Sequence, residues 1–202
     1  KTKFKKDKKS GKTIIVSGKG FDDRIGVFLV SEVIRKISID KIKHKCNIYG
    51  AATVQEEVGL RGARTTANLI NPDLCITLEV EIAGDEPGIE PYKAPSKMGF
   101  GPAILTYDGS MIPNEALKFF IIDTAKNNKI PYQLSLIGRG GTDAGAIHLS
   151  NIGCPSIVIG VPTRHIHSHV AICDAEDIEN GIKLIIEIIK KLNKHTVDSF
   201  LK

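Results

Sequence analysis

Two glutamates stand side by side in T-V-Q-E-E-V-G-L (53–60), at the end of an apolar run. Neighbouring residues of an extended chain point to opposite sides, so Glu56 and Glu57 can serve two different purposes. Further ionisable residues fall at comparable places. Asp22 and Asp23 lie in F-D-D-R-I-G, Glu79 and Glu81 in L-E-V-E, and His165, His167 and His169 in P-T-R-H-I-H-S-H. Carboxylate oxygens and imidazole nitrogens in this mixture suit zinc, cobalt or manganese. Each motif alone has a plain structural explanation. An aspartate pair caps a helix, adjacent glutamates make a solvated turn, and an alternating histidine run lies along one face of an extended segment. Their joint placement is what points to a site.

Those residues need elements to hold them. Apolar runs at 13–16, 46–54, 74–80, 103–107, 132–136 and 155–160 read as strands. Helical spacing covers 22–37, with Ile25, Leu29, Val33 and Ile37 in register, and 174–193, with Ile178, Ile182, Ile185, Ile189 and Leu192 on one stripe. Further helices are expected at 60–70, 114–127 and 143–149. Strands alternating with helices predict an α/β fold with a mainly parallel sheet sandwiched by helices. In such sheets the site forms beyond the carboxyl ends of the strands, where the acidic and histidine motifs fall. The Gly/Pro-rich stretch 83–102 is long for a plain connection, which favours a functional loop.

Composition narrows the partners. The 202-residue chain carries a net charge of +5, yet residues 1–12 alone hold seven lysines and one aspartate. The rest is close to neutral, so the basicity belongs to one end and the expectation is no nucleic-acid partner. S-G-K-T (10–13) lacks the first glycine of a phosphate loop, because position 6 is Lys6. No apolar run is long enough to span a bilayer, which predicts no membrane partner. Cys46, Cys75, Cys154 and Cys173 are widely spaced without a C-x-x-C pair, favouring a reducing, cytoplasmic setting.

Five ordered stretches, F-D-D-R-I-G, V-Q-E-E-V-G-L-R-G-A, I-A-G-D-E-P-G, G-R-G-G-T-D-A-G-A-I-H-L and P-T-R-H-I-H-S, resemble the M42 family of metallo-aminopeptidases. That family includes the tetrahedral (TET) peptidases and glutamyl aminopeptidases, and some members carry a cellulase label. The resemblance runs from about Gly18 to the last helix. It implies a zinc-peptidase-like fold, two divalent metal ions (zinc, cobalt or manganese), short peptide substrates and a homo-oligomer.

Carried over position by position, the resemblance makes Asp22 the carboxylate between the two ions and Glu56 the general base. Glu57 becomes a terminal ligand of one ion, and His167 matches the final imidazole ligand. Glu79 stands where the family usually has an aspartate ligand of the other ion. Asp22 is preferred to Asp23 because the second position varies among relatives, and His165 and His169 stand outside the ligand set. Gly141, Thr142 and Asp143 match the segment on the substrate side; their plain reading is a turn with a helix cap. The implied reaction is removal of N-terminal residues from peptides by a water that two metal ions activate, with Glu56 moving its proton.

The family's remaining ligand is a histidine in an early H-x-D segment, and no H-x-D precedes Asp22 here. The resemblance therefore implies the C-terminal part of a catalytic domain (18–202), incomplete at its N-terminus. Residues 1–17 would be a basic lead-in near a missing inserted domain. One ligand histidine would be lacking, and the isolated piece would be weakly active or inactive. Two alternatives carry different expectations. A glycoside hydrolase would use a carboxyl pair across a sugar bond, but leaves the histidines unused, and aromatic residues are only 5% of the chain with no Trp. An inert assembly subunit would bind no pair of ions.

Overall fold

The computed structural model describes residues 14–201. The lysine-rich stretch and S-G-K-T fall outside the described residues, as does most of the expected lead-in. A short strand, β1 (Ile15–Gly18), leads into α1 (Phe21–Ile39), whose Ile25, Leu29 and Val33 face the core. Next come α2 (Arg61–Ile70), β2 (Cys75–Ile82), β3 (Ala103–Leu105), α3 (Glu115–Asn127) and β4 (Gln133–Ser135). The chain continues through α4 (Asp143–Ile147), β5 (Ser156–Arg164), β6 (Ala171–Asp174), α5 (Ala175–Lys191) and α6 (Lys194–Ser199).

The starts of the long C-terminal helices are set by side chains. Asn114 caps α3 by accepting from Leu117 N, and Asp174 caps α5 by accepting from Glu176 N. The buried row of Ile182, Ile185 and Ile189 then lays α5 on the sheet, while Lys190 and Lys191 occupy its last turn, where the helix dipole favours cations.

The six strands form one mixed sheet in the order β1-β6-β5-β3-β4, with β2 on the other side of β5. The expected parallel pairing is present in β2–β5, in register from Cys75↔Ser156 to Ile82↔Thr163, and in β3–β4. The β1–β6, β3–β5 and β5–β6 pairs are antiparallel. The last follows from chain length, because only a hairpin fits between Arg164 and Ala171.

Successive residues of β5 feed two layers. Ile157, Ile159 and Val161 join the large core under α1, α3 and α5, whereas Val158 packs with Ala144 of α4 on the opposite face. The same alternation in β2 sends Ile76, Leu78 and Val80 into the large core. Glu79 and Glu81 consequently share the face that α4 covers.

Two expectations are corrected. The run 46–54 is not a strand: its residues are half-buried or exposed, and no strand pairs with it among the described residues. It leans on α1 so closely that a Cβ on Gly50 would lie 2.1 Å from Ile34 Cδ1. An apolar run becomes a strand only with a ladder partner beside it. One side of the segment borders an open groove of about 1110 Å³ that includes Ile34, Ile37, Ile42, Ile48 and Tyr49, away from the carboxylates described below. Second, β5 runs on to Arg164, so the histidines do not alternate along a strand. His165 and His167 have φ of 58° in a tight turn. The four cysteines are free. No described helix is long and apolar enough to cross a membrane.

Candidate metal centre

Asp22, Glu57 and His167 meet at one point. Each offers a ligand atom, and these atoms lie within 4.8 Å of one another. His167 Nε2 is 2.9 Å from Asp22 Oδ2 and 3.6 Å from Glu57 Oε2. Three separate pieces of chain deliver them: the start of α1, the turn before α2, and the β5–β6 hairpin. Burial and the charge of Glu57 raise the Asp22 carboxyl above its ordinary value, partly offset by His167. Two oxygens and one imidazole nitrogen at this spacing fit a divalent ion of the zinc, cobalt or manganese type.

The turn carrying Glu56 and Glu57 is tightly built. Glu56 O accepts from Gly59 N and Leu60 N, and Val54 O accepts from Gly62 N at 2.8 Å. A Cβ on Gly62 would sit 2.4 Å from Val54 N, so only glycine allows α2 to start this close to the acidic turn. Glu56 is half-buried, and its carboxyl is pushed up to about 7, first by burial and then by the charges of Asp143, Glu57, Asp22 and Asp23.

Glu79 is buried beside Asp23, not within the three-ligand cluster. Asp23 also accepts from Gly26 N at 2.8 Å. Burial raises both carboxyls, and their mutual repulsion adds to it for Glu79. A Cβ on Gly26 would meet both Asp23 Oδ2 and Leu78 O at 2.1 Å, which is how α1 comes close enough to β2 for this pairing. The peptide between Asp22 and Asp23 is cis. Asp22 faces His167 and Asp23 faces Glu79, so the pair divides between two places. The adjacency D-D with glycine three residues on is the readable signal for the role of Asp23.

Asp143 opens α4 and joins the same acidic neighbourhood. Its Oδ2 accepts from Thr53 Oγ1, tying the start of α4 to the segment just ahead of Glu56, while its buried Oδ1 has no partner among the described residues. Thr142 donates to Asp108 Oδ2 at 2.9 Å, and Asp108 Oδ1 holds Ser110 through both its N–H and its hydroxyl. A Cβ on Gly141 would lie 2.6 Å from Ser110 Oγ, so the 138–143 loop is packed on the 107–111 turn. Asp108 escapes a reading of the sequence because it stands in no acidic or histidine motif, and Thr53, at the head of the Glu56–Glu57 stretch, because a hydroxyl there carries no ligand signal of its own.

Glu81 belongs elsewhere. It is 1% exposed and accepts from Ser135 Oγ at 2.6 Å, and burial pushes its carboxyl up to about 8. His165 is held by Glu86, and His169 is exposed.

Comparison with known proteins identifies the family. The family model described as M42 glutamyl aminopeptidase matches residues 3–184. The chain belongs to the M42 family. A glutamyl aminopeptidase of Lactococcus lactis subsp. cremoris is 37% identical over 188 residues, covering 93% of this chain and 50% of that protein. The solved TET aminopeptidase from the marine sediment archaeon Thaumarchaeota archaeon SCGC AB-539-E09 is 53% identical with a TM-score of 0.92, covering 98% of this chain and 55% of that one. The TET1 peptidase of Pyrococcus horikoshii, described as able to assemble into a tetrahedron or a large octahedral shell, is 30% identical with a TM-score of 0.76 over 95% of this chain and 54% of its own. This M42 chain thus spans about half the length of the relatives it matches.

Proposed function

We propose that this chain carries the larger part of a metal-dependent aminopeptidase site acting on short peptides. The observation that carries the reading is the meeting of Asp22, Glu57 and His167 next to Glu56. Asp22, Glu57 and His167 would hold one divalent ion, and Glu79, beside Asp23, would serve a second. Bound ions supply Lewis-acid chemistry, lowering the pKa of water and stabilising developing negative charge. Glu56 is free of the ligand cluster, and its carboxyl titrates near neutrality, so it can accept a proton from water and return it to the departing amine. Asp143 and the packed loop 138–142 form the wall on the substrate side.

The charges that act on Glu79 most are those of Asp23, Glu56, Asp22 and Asp143. A second ion there would need a further ligand, and weak turnover of peptides is the outcome expected of this chain alone. A glycoside hydrolase would leave the His167–Asp22 contact without a purpose. Assembly into a homo-oligomer is supported by the architecture named for the Pyrococcus horikoshii relative.

Titration of the metal-free chain with Co²⁺ or Zn²⁺, alongside assays on aminoacyl p-nitroanilides, tests the reading. About one tightly bound ion per chain is expected, with weak, chelator-sensitive turnover. Turnover that survives chelation overturns the metal reading, and fast turnover by the chain alone overturns the missing ligand.

A further inference from the structure

We propose that Glu86, with Asp85 beside it, is a positioning residue for the metal ligand His167, acting through the backbone of His165. The proposal rests on reading His167 as a ligand. His167 sits near the tip of the β5–β6 hairpin, is 66% exposed, and is separated from the last paired residue of β5 by two residues. Such a tip has few means of holding an imidazole still.

The long connection 83–102 supplies the hold. It leaves β2 in register with β5, since Ala83 N donates to Thr163 O at 3.1 Å, and Ser96 closes its base by donating to Ile82 O at 2.7 Å. The next two acidic residues then grip the two residues that leave β5. Asp85 accepts both Nε and Nη2 of Arg164, at 3.0 and 2.5 Å, a paired geometry that fixes direction as well as distance. Glu86 holds His165 twice: one carboxylate oxygen accepts its backbone N–H at 2.9 Å, and the other lies 2.8 Å from Nδ1 of its ring.

The grip falls where the backbone needs it. His165 and His167 both have φ of 58°, a left-handed conformation that non-glycine residues adopt only when surroundings enforce it. Ile166 packs against the core, and Ser168 Oγ donates to His165 O, at 2.7 Å. Glu86 ties this turn to the 83–102 connection. Through it, the imidazole of His167 arrives beside Asp22 with its direction set before any ion binds. Residues that orient metal ligands commonly alter affinity when removed.

The test compares Co²⁺ binding by calorimetry with hydrogen exchange of the metal-free full chain. Glu86→Ala should weaken Co²⁺ binding roughly tenfold and speed exchange over residues 165–170. Glu86→Gln keeps an oxygen for the His165 N–H and should retain most of the affinity. Glu90→Ala, in the same connection but paired with Lys93 at the surface, should change neither readout. If Glu86→Ala binds Co²⁺ like the parent chain, or leaves exchange over 165–170 unchanged, the positioning role is overturned while the metal centre stands. If the parent chain itself binds no Co²⁺, the metal centre fails and the proposal falls with it.

Discussion

His167 Nε2 lies 2.9 Å from Asp22 Oδ2, joining the end of the β5–β6 hairpin to the first turn of α1. Nothing between these residues in sequence brings them together; the sheet does, by placing β1 and β6 side by side. At an exposed surface this contact contributes little to stability on its own, about 0–1 kcal/mol. In the proposed site it joins two of the three residues that would hold one ion. His167→Ala should therefore leave the urea midpoint of the metal-free chain nearly unchanged while abolishing tight Co²⁺ binding in calorimetry. A variant that binds Co²⁺ as the parent does would remove His167 from the site.

Glu56 and Glu57 are neighbours with different surroundings. Glu57 is exposed and reaches His167, whereas Glu56 is half-buried among Asp143, Asp22 and Asp23. Glu56→Gln should keep the bound ion and lose about 10²–10⁴-fold in turnover, the usual range for a lost acid-base group. Glu57→Gln should weaken the ion first. Parallel metal titration and single-substrate kinetics on both variants check this, and identical behaviour would cancel the division of roles.

The helices are legible in the sequence because their apolar spacing is unbroken: the periodic runs 22–37 and 174–193 end within a few residues of α1 and α5. The meeting of Asp22, Glu57 and His167 is legible through resemblance and residue type. What the residues do not reveal is contact made by folding. The 46–54 run has the composition of a strand and lacks only a neighbour. β6 is four residues long, too short to leave a period. Asp85 and Glu86 read as part of a Gly/Pro-rich connection, and their importance lies in Arg164 and His165, which the parallel register of β2 and β5 brings alongside. Glu79 and Glu81 look alike in L-E-V-E, yet one meets Asp23 and the other Ser135.

Gly26 offers a test of how α1 is seated. The absent side chain lets the helix approach Leu78 O, and a Cβ there would stand at 2.1 Å. Because the obstacle is backbone in a strand, Gly26→Ala should cost roughly 1–3 kcal/mol in urea unfolding, as overpacked sites do. It should also loosen the Asp23–Glu79 pairing. Unchanged stability would mean that α1 can slide on β2 without penalty.

Stability of the metal-free chain should fall as pH rises. A carboxyl whose folded value lies above its unfolded one binds its proton more tightly when folded. Its favourable contribution is complete below the unfolded value and disappears as pH climbs through the folded value. Glu81 rises from 4.5 to about 8, through burial first and the charge of Asp108 to a smaller degree. Glu56 moves to about 7, and Asp22, Asp23 and Glu79 are raised as well. Asp85 is displaced the other way by Arg164, so its contribution stays in place across this range and is lost only as pH falls below the ordinary carboxylate value. The urea midpoint should thus be higher at pH 5 than at pH 8. Glu81 is remote from the ligand cluster, which makes it the clean probe. Glu81→Gln removes the charge that appears near pH 8 and should flatten the decline by an amount on the order of a few kcal/mol, since each tenfold gain in proton affinity on folding is worth about 1.4 kcal/mol. Added Co²⁺ should restore stability at pH 8 in both proteins by neutralising the remaining carboxylates. Equal midpoints for parent and Glu81→Gln at pH 8 would show that Glu81 is already relieved of its charge by some other contact.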